Sequence, residues 1–86
     1  MARYYFDFSA PSFSSYDDEG TECAHVHSIS EKALSALCEI ASDHPHKYVG
    51  EGMRISVRNE INQVVLTAAL HLSVDCAAGA TNTVAA

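Results

Sequence analysis

The sequence predicts a two-layer α+β sandwich in which one helix packs on a three- or four-stranded, mostly antiparallel sheet. Three observations carry that expectation. Residues 3–8, RYYFDF, and 53–59, MRISVRN, alternate apolar and polar side chains. A longer stretch, 63–72, QVVLTAALHL, puts Val64, Leu66, Ala68, Leu70 and Leu72 on one face and Val65, Thr67, Ala69 and His71 on the other. Between the first and second of these lies one run with apolar residues at spacings of three and four. Period two marks half-buried strands, and period 3.6 marks an amphipathic helix. One helix covers only one face of a small sheet, so the other face is expected to stay open.

The first strand places Tyr4, Phe6 and Phe8 on one face and Arg3, Tyr5 and Asp7 on the other. The following SAPSFSSYDDE, residues 9–19, carries one proline, four serines and three acids and reads as a loop, with Phe13 and Tyr16 available to pin it. A short piece at 21–23, TEC, is a candidate fourth strand. The helix is expected over about 27–43, with Val26, Ile29, Ala33, Leu37 and Ile40 forming its apolar stripe. Ser28 and Glu31 fit a capping box, and a start one turn earlier would bring His25 or His27 to the cap. Pro45 ends the helix, and HKYVGEG (46–52) is the connection. A brief EIN turn between the last two strands implies an antiparallel hairpin. One domain over 1–73 is expected, with 74–86 a disordered tail.

A chain of 86 residues allows one modest core, near the size at which burial only just offsets chain entropy. The first residues, MARYYFDFSA, contain no continuous apolar segment of the kind that directs secretion, and VVLTAALHL is too short to span a bilayer. A soluble, cytoplasmic protein without membrane contact is therefore expected. Cys23, Cys38 and Cys76 are odd in number and not closely spaced, which favours reduced thiols over a disulfide framework. Cys38 reads as a small core residue. A net charge of −6 disfavours broad nucleic-acid binding, because the field of the whole chain repels phosphate.

Together, the opening RYYFDF, the DDEG loop followed by TE, the helix with KALSAL and the strand MRISV resemble a family of very small bacterial proteins. That family is a domain of unknown function frequent in rhizobia-like alphaproteobacteria, with an N-terminal RYxF strand and a DxEG loop before a single helix. The resemblance covers roughly residues 2–73. Arg3, Tyr4 and Phe6 match the opening strand, and Asp18, Gly20 and Glu22 the acidic loop. Ala33 and Leu34 match the helix, and Arg54 and Val57 the next strand. Cys23 and His25 stand where the family usually has leucine and aspartate. The resemblance implies a fold and no activity.

Three candidate sites follow from the residues. YDDEGTECAHVH, 16–27, concentrates acids, a thiol and two imidazoles, and Cys23, His25 and His27 fall on one side of an extended segment, a possible three-ligand zinc site. The spacing matches no paired zinc signature. The calcium-loop alignment also fails, because it puts Ser15 at position one and Val26 at position twelve, where carboxylates are required. Acids before a helix complement its dipole, and Gly20 permits a turn, so a helix-entry loop accounts for the same residues without a cofactor.

Catalysis is the second candidate. Asp17, Asp18 and Glu19 are adjacent rather than convergent, and no nucleophile elbow, phosphate loop or deaminase signature is present, so no enzyme is expected. His44 and His46 flank Pro45 at the helix end, an ordinary place for histidine.

The third candidate is the open sheet face, where Arg3, Tyr5, Asp7, Arg54, Ser56, Arg58, Val65, Thr67, Ala69 and His71 gather three of the five basic residues. Arginine and tyrosine are interface hot-spot types. The leading expectation is a non-enzymatic interaction module binding a protein partner, or a second copy of itself, through Arg3, Tyr5, Arg54, Arg58 and His71. Replacing Arg54 and Arg58 together by glutamate should then abolish association and spare the fold. Exposed strands carry such residues without any partner, so the pattern is also that of an ordinary solvated face. Metal binding by Cys23, His25 and His27 is the alternative. Single-stranded nucleic acid on the same face is a weaker one, since Tyr5 is its single aromatic.

Overall fold

The computed structural model describes residues 2–77. Six elements follow in order: β1 (Ala2–Ala10), β2 (Phe13–Ser15), β3 (Thr21–Cys23), α1 (Val26–Asp43), β4 (Gly52–Arg58) and β5 (Val64–His71). They form the expected α+β arrangement, one helix on an antiparallel sheet, here with five strands. The main path runs β2-β1-β4-β5, and β3 also pairs with β1.

The fifth strand is β2, which lies in the segment expected to be a loop. Residues 9–19 lack strand periodicity, but Pro11 and Ser12 turn the chain so that Phe13–Ser15 folds back along Phe8–Ala10. β2 therefore shares one edge of β1 with β3, which pairs with Ala2–Tyr4. The opposite edge of β1 pairs with β4 over Tyr5–Ser9. The short strand expected at 21–23 forms at those residues.

The alternation of each long strand sorts its side chains as its sequence requires. Phe8, Met53, Ile55 and Val57 point to the helix and are buried, with Tyr4, Phe6, Leu66, Ala68 and Leu70 packed around them. From α1 come Ile29, Ala33 and Leu37. Burying a side chain such as Leu37 or Val57 completely is worth about 1.5–3 kcal/mol, and four large side chains reach that state: Ile29, Leu37, Met53 and Val57.

Several details differ from the sequence expectation. Of the two helix starts the sequence allows, the earlier one forms, at Val26 with His25 as N-cap, so the Ser28–Glu31 box does not form, and the cap has no side-chain hydrogen bond. Val26, the first residue of the helix, is 70% exposed despite its place in the apolar stripe. Cys38 lies on the solvent side of α1, whereas Cys23 is buried at the end of β3. Tyr48, in the expected connection, is instead a core residue whose ring meets Phe8 edge-on at 5.7 Å. Residues 73–77 continue from β5 without regular secondary structure. The remainder of the expected tail, 78–86, lies outside the described residues.

Candidate functional site

Strand register assembles the face turned away from the helix. Tyr5 pairs with Arg58, Asp7 with Ser56, and Ser9 with Arg54. On the other side of β4, Arg54 pairs with Ala69, Ser56 with Thr67, and Gly52 with His71. A bulge at Val57/Arg58 lets Arg58 face Val64, leaving Val65 as the extra residue.

One end of this face is occupied by the acidic loop. Arg58 donates from Nε to Asp7 Oδ2 at 2.6 Å and from Nη2 to Asp7 Oδ1 at 3.1 Å, a two-pronged contact. Its Nη2 also reaches the backbone oxygen of Asp17 at 2.8 Å, and Nη1 reaches Asn62 Oδ1 at 2.9 Å. The Tyr16 and Tyr5 rings lie 4.2 and 4.9 Å from the guanidinium carbon. The Arg58 side chain is left only 12% exposed.

Asp17 completes the arrangement. β2 and β3 cover the two ends of the outer edge of β1, and between them Asp17 Oδ2 accepts from the Phe6 N–H at 3.0 Å. Its Oδ1 accepts from the N–H groups of Glu19 and Gly20, while its own N–H donates to Asp7 Oδ1. A side chain thus takes the place of a strand at the gap in the edge. The Arg58 hydrogen bond holds the Asp7 carboxyl below its ordinary value. Partial burial pushes the Asp17 carboxyl up, but the N–H groups of Phe6, Gly20 and Glu19 together outweigh it and the net shift is down. The Arg58 guanidinium is correspondingly raised, first by its hydrogen bond to Asp7.

Arg3 is engaged at the same end, donating from Nη1 to the Glu19 backbone oxygen at 2.7 Å and lying 3.8 Å from Glu22 Oε1. The Tyr5 ring is bounded by Arg58 and by Gly20, whose Cα passes so close that a Cβ there would sit 2.9 Å from Tyr5 Cε2. Of the five residues singled out on this face, Arg3, Tyr5 and Arg58 therefore hold the loop.

Arg54 and His71 lie at the other end. A depression of about 540 Å³ opens there, lined by Ser9, Ala10 and Pro11, by Gly52, Met53 and Arg54, and by Ala69, Leu70 and His71. Gly52 contributes no side chain to it, and a Cβ at that position would meet nothing within 4 Å. Arg54 and His71 are both exposed beside it. Among the described residues Arg54 is the one arginine without a carboxylate partner, Arg3 being paired with Glu22 and Arg58 with Asp7.

The residues 23, 25 and 27 do not converge. Cys23 points into the core, whereas His25 and His27 are exposed at the start of α1 with ring centroids 6.3 Å apart. His27 lies 3.6 Å from Glu31 along the helix. Among the described residues no group of three His, Cys, Asp or Glu side chains is arranged to hold a metal ion. The acidic run divides: Asp18 and Glu19 face solvent and Asp17 turns inward. In the sequence Asp17 is one of three adjacent acids and nothing in that run singles it out, although an aspartate three residues before a glycine is itself a turn signal.

Comparison with known protein families places this arrangement. Residues 3–71 match the family model for a domain of unknown function, DUF6894. The chain belongs to this family. The matched span runs from the Arg3 that holds the acidic loop to the His71 that closes β5, so the DUF6894 domain comprises the whole sheet, the helix and both ends of the open face. No curated protein and no solved structure matches the chain. Among the described residues of this DUF6894 domain, no helix is long and apolar enough to cross a membrane.

Proposed function

We propose that this DUF6894 domain is a non-enzymatic interaction module whose open sheet face binds an acidic segment of a protein partner, with Arg54 at the centre and His71 beside it. The observation that carries this reading is the division of the arginines. Two are committed to carboxylates of their own chain, and the third has no carboxylate partner among the described residues and lines a depression together with Gly52 and Ala69. A guanidinium in that position has its fork of donors available for a carboxylate, and the small residues Gly52 and Ala69 beside it let a peptide backbone approach the sheet. Local positive charge in a chain of net charge −6 favours an acidic segment docking here over docking elsewhere.

A non-enzymatic role is supported by the state of the inward acids. Asp7 and Asp17 are both held in the ionised form by donors of the fold, the opposite of an acid and base poised near neutrality. Protein is favoured over single-stranded nucleic acid because Tyr5 is enclosed by Arg58 and Gly20, and Tyr16, the exposed aromatic of this face, is stacked on the Arg58 guanidinium at the end away from Arg54.

The test is titration of the ¹⁵N-labelled protein with a Glu-rich peptide. Saturable, salt-sensitive shifts confined to Ser9, Arg54, Ala69 and His71, and lost in a folded Arg54→Glu variant, are the expected outcome. Equal shifts in Arg54→Glu, or none at that end of the face, would overturn the reading. Arg54→Glu alone is the appropriate variant, because replacing Arg58 as well would also remove the contacts that hold the acidic loop.

A further inference from the structure

The outer edge of β5 carries an observation independent of the open face. β5 ends the sheet path, and its eight residues, VVLTAALH, pair with β4 on one side only. In an antiparallel strand alternate residues turn their N–H and C=O groups to either side, so about half of these residues present unpaired backbone groups outward. Natural edges are commonly protected by lysine, proline, inward charges or very short length. β5 has none of these, and His71 at its end is its single ionisable side chain. The bulge lies at the Val64–Val65 end and leaves the stretch from Leu66 to His71 regularly paired with β4. Apolar side chains are exposed beside this edge: Val64 at 61%, Val65 at 46% and Ile61, in the preceding turn, at 73%. The opposite side of the sheet is different, since β2, Asp17 and β3 together cover the outer edge of β1.

We infer that β5 is a self-association edge, and that two copies of this chain join antiparallel through β5 into one continuous sheet. A second copy is the occupant because an antiparallel edge paired about a two-fold axis is its own complement, and the charge distribution permits the contact. Two molecules of net charge −6 repel wherever acids meet, and β5 is a strand-length edge without a carboxylate. Geometry agrees, because a two-fold axis perpendicular to the sheet keeps both helices on one side and both open faces on the other. Residues directly opposite must point the same way, so the register centres on Thr67 or on Ala68 meeting its own copy. A single strand pair with flanking valines falls in the small-interface class, so the dimer forms and dissociates with concentration.

The experiment is sedimentation velocity of the full chain over a wide concentration range, combined with amide hydrogen exchange at both extremes. A mass rising from monomer to dimer, with alternate β5 amides becoming protected at high concentration, is expected. Thr67→Lys, at an exposed strand position, should keep the wild-type melting temperature and remain monomeric where wild type is dimeric, while Thr67→Val still dimerises. Arg54→Glu should leave the dimer unchanged, so that loss of peptide binding and loss of association are separable. A wild type monomeric throughout, or a dimer whose β5 amides exchange as freely as those of the monomer, overturns the inference.

Discussion

Arg58 on β4 grips Asp7 on β1 across the strand pair, Nε to Oδ2 at 2.6 Å, and the same guanidinium holds the backbone oxygen of Asp17 from the loop above. One side chain thereby joins two central strands to the acidic segment between β2 and β3. The planar fork is what allows it to serve both acceptors, with Tyr16 lying against its carbon at 4.2 Å. Arg58→Lys keeps the charge and loses the fork. It should lower the melting temperature and speed amide exchange at Asp17 and Gly20, whereas Arg54→Lys, at an arginine with no carboxylate partner among the described residues, should do neither. Equal melting of the two variants would show that Arg58 adds nothing to the fold.

Asp17 substitutes for a strand at one backbone group. Removing its carboxylate in Asp17→Ala orphans the Phe6 N–H and two loop N–H groups at once. Because the site is only partly buried, water compensates in part, and the loss should be about 1–2 kcal/mol of unfolding free energy. Asp17→Asn keeps one carbonyl acceptor and should fall between the two. Urea denaturation of the three proteins gives the order directly, and the Phe6 amide should exchange fastest in Asp17→Ala.

The pH dependence follows from the same two acids. Asp7 and Asp17 both sit below the ordinary value of 3.8 in the folded chain, so at acid pH the unfolded chain binds more protons than the folded one. Their stabilisation is fully present above that value and is lost as pH falls through the lower folded values. Melting temperature should be flat with respect to these groups down to about pH 5 and decline below 4. In the Asp7→Asn, Asp17→Asn double variant the decline should be shallower, although its neutral-pH stability is lower.

The long elements were legible because each repeats one simple pattern. Tyr4, Phe6 and Phe8, or Met53, Ile55 and Val57, need only period two to declare which side is inward, and Ile29, Ala33 and Leu37 need only the helical period. β2 was not legible, since three residues are too few to show a period and Phe13 remains half exposed. Tyr48 was missed for a related reason: its burial comes from the Phe8 ring across the fold, and no neighbour in sequence signals it. The open face was legible as a set of side chains, but the commitment of Arg3 and Arg58 was not. That depends on where the Tyr16–Gly20 loop settles, a long-range outcome of β2 and β3 pairing with the same edge of β1.

Two glycines offer a comparison that isolates this settling. Gly20 and Gly50 both adopt the left-handed conformation, at φ 75 and 84, so replacing either by alanine costs about 1–2 kcal/mol of backbone strain. Around Gly50 a Cβ would meet nothing within 4 Å, and that strain is the whole effect. At Gly20 the added methyl would lie 2.8 Å from Arg3 Cγ and 2.9 Å from Tyr5 Cε2. Arg3 is flexible and gives way, but the Tyr5 ring stands beside an Arg58 fixed at three points and has less room to move. The clash adds about 1–3 kcal/mol, the usual range for overpacking. Gly20→Ala should therefore melt well below Gly50→Ala, and its acidic loop should lift from the sheet, seen as loss of the Tyr16 and Tyr5 ring-current shifts on the Arg58 side chain. Equal destabilisation of the two variants would mean that the loop does not press on Tyr5, and that this end of the face is as open as the end beside Arg54.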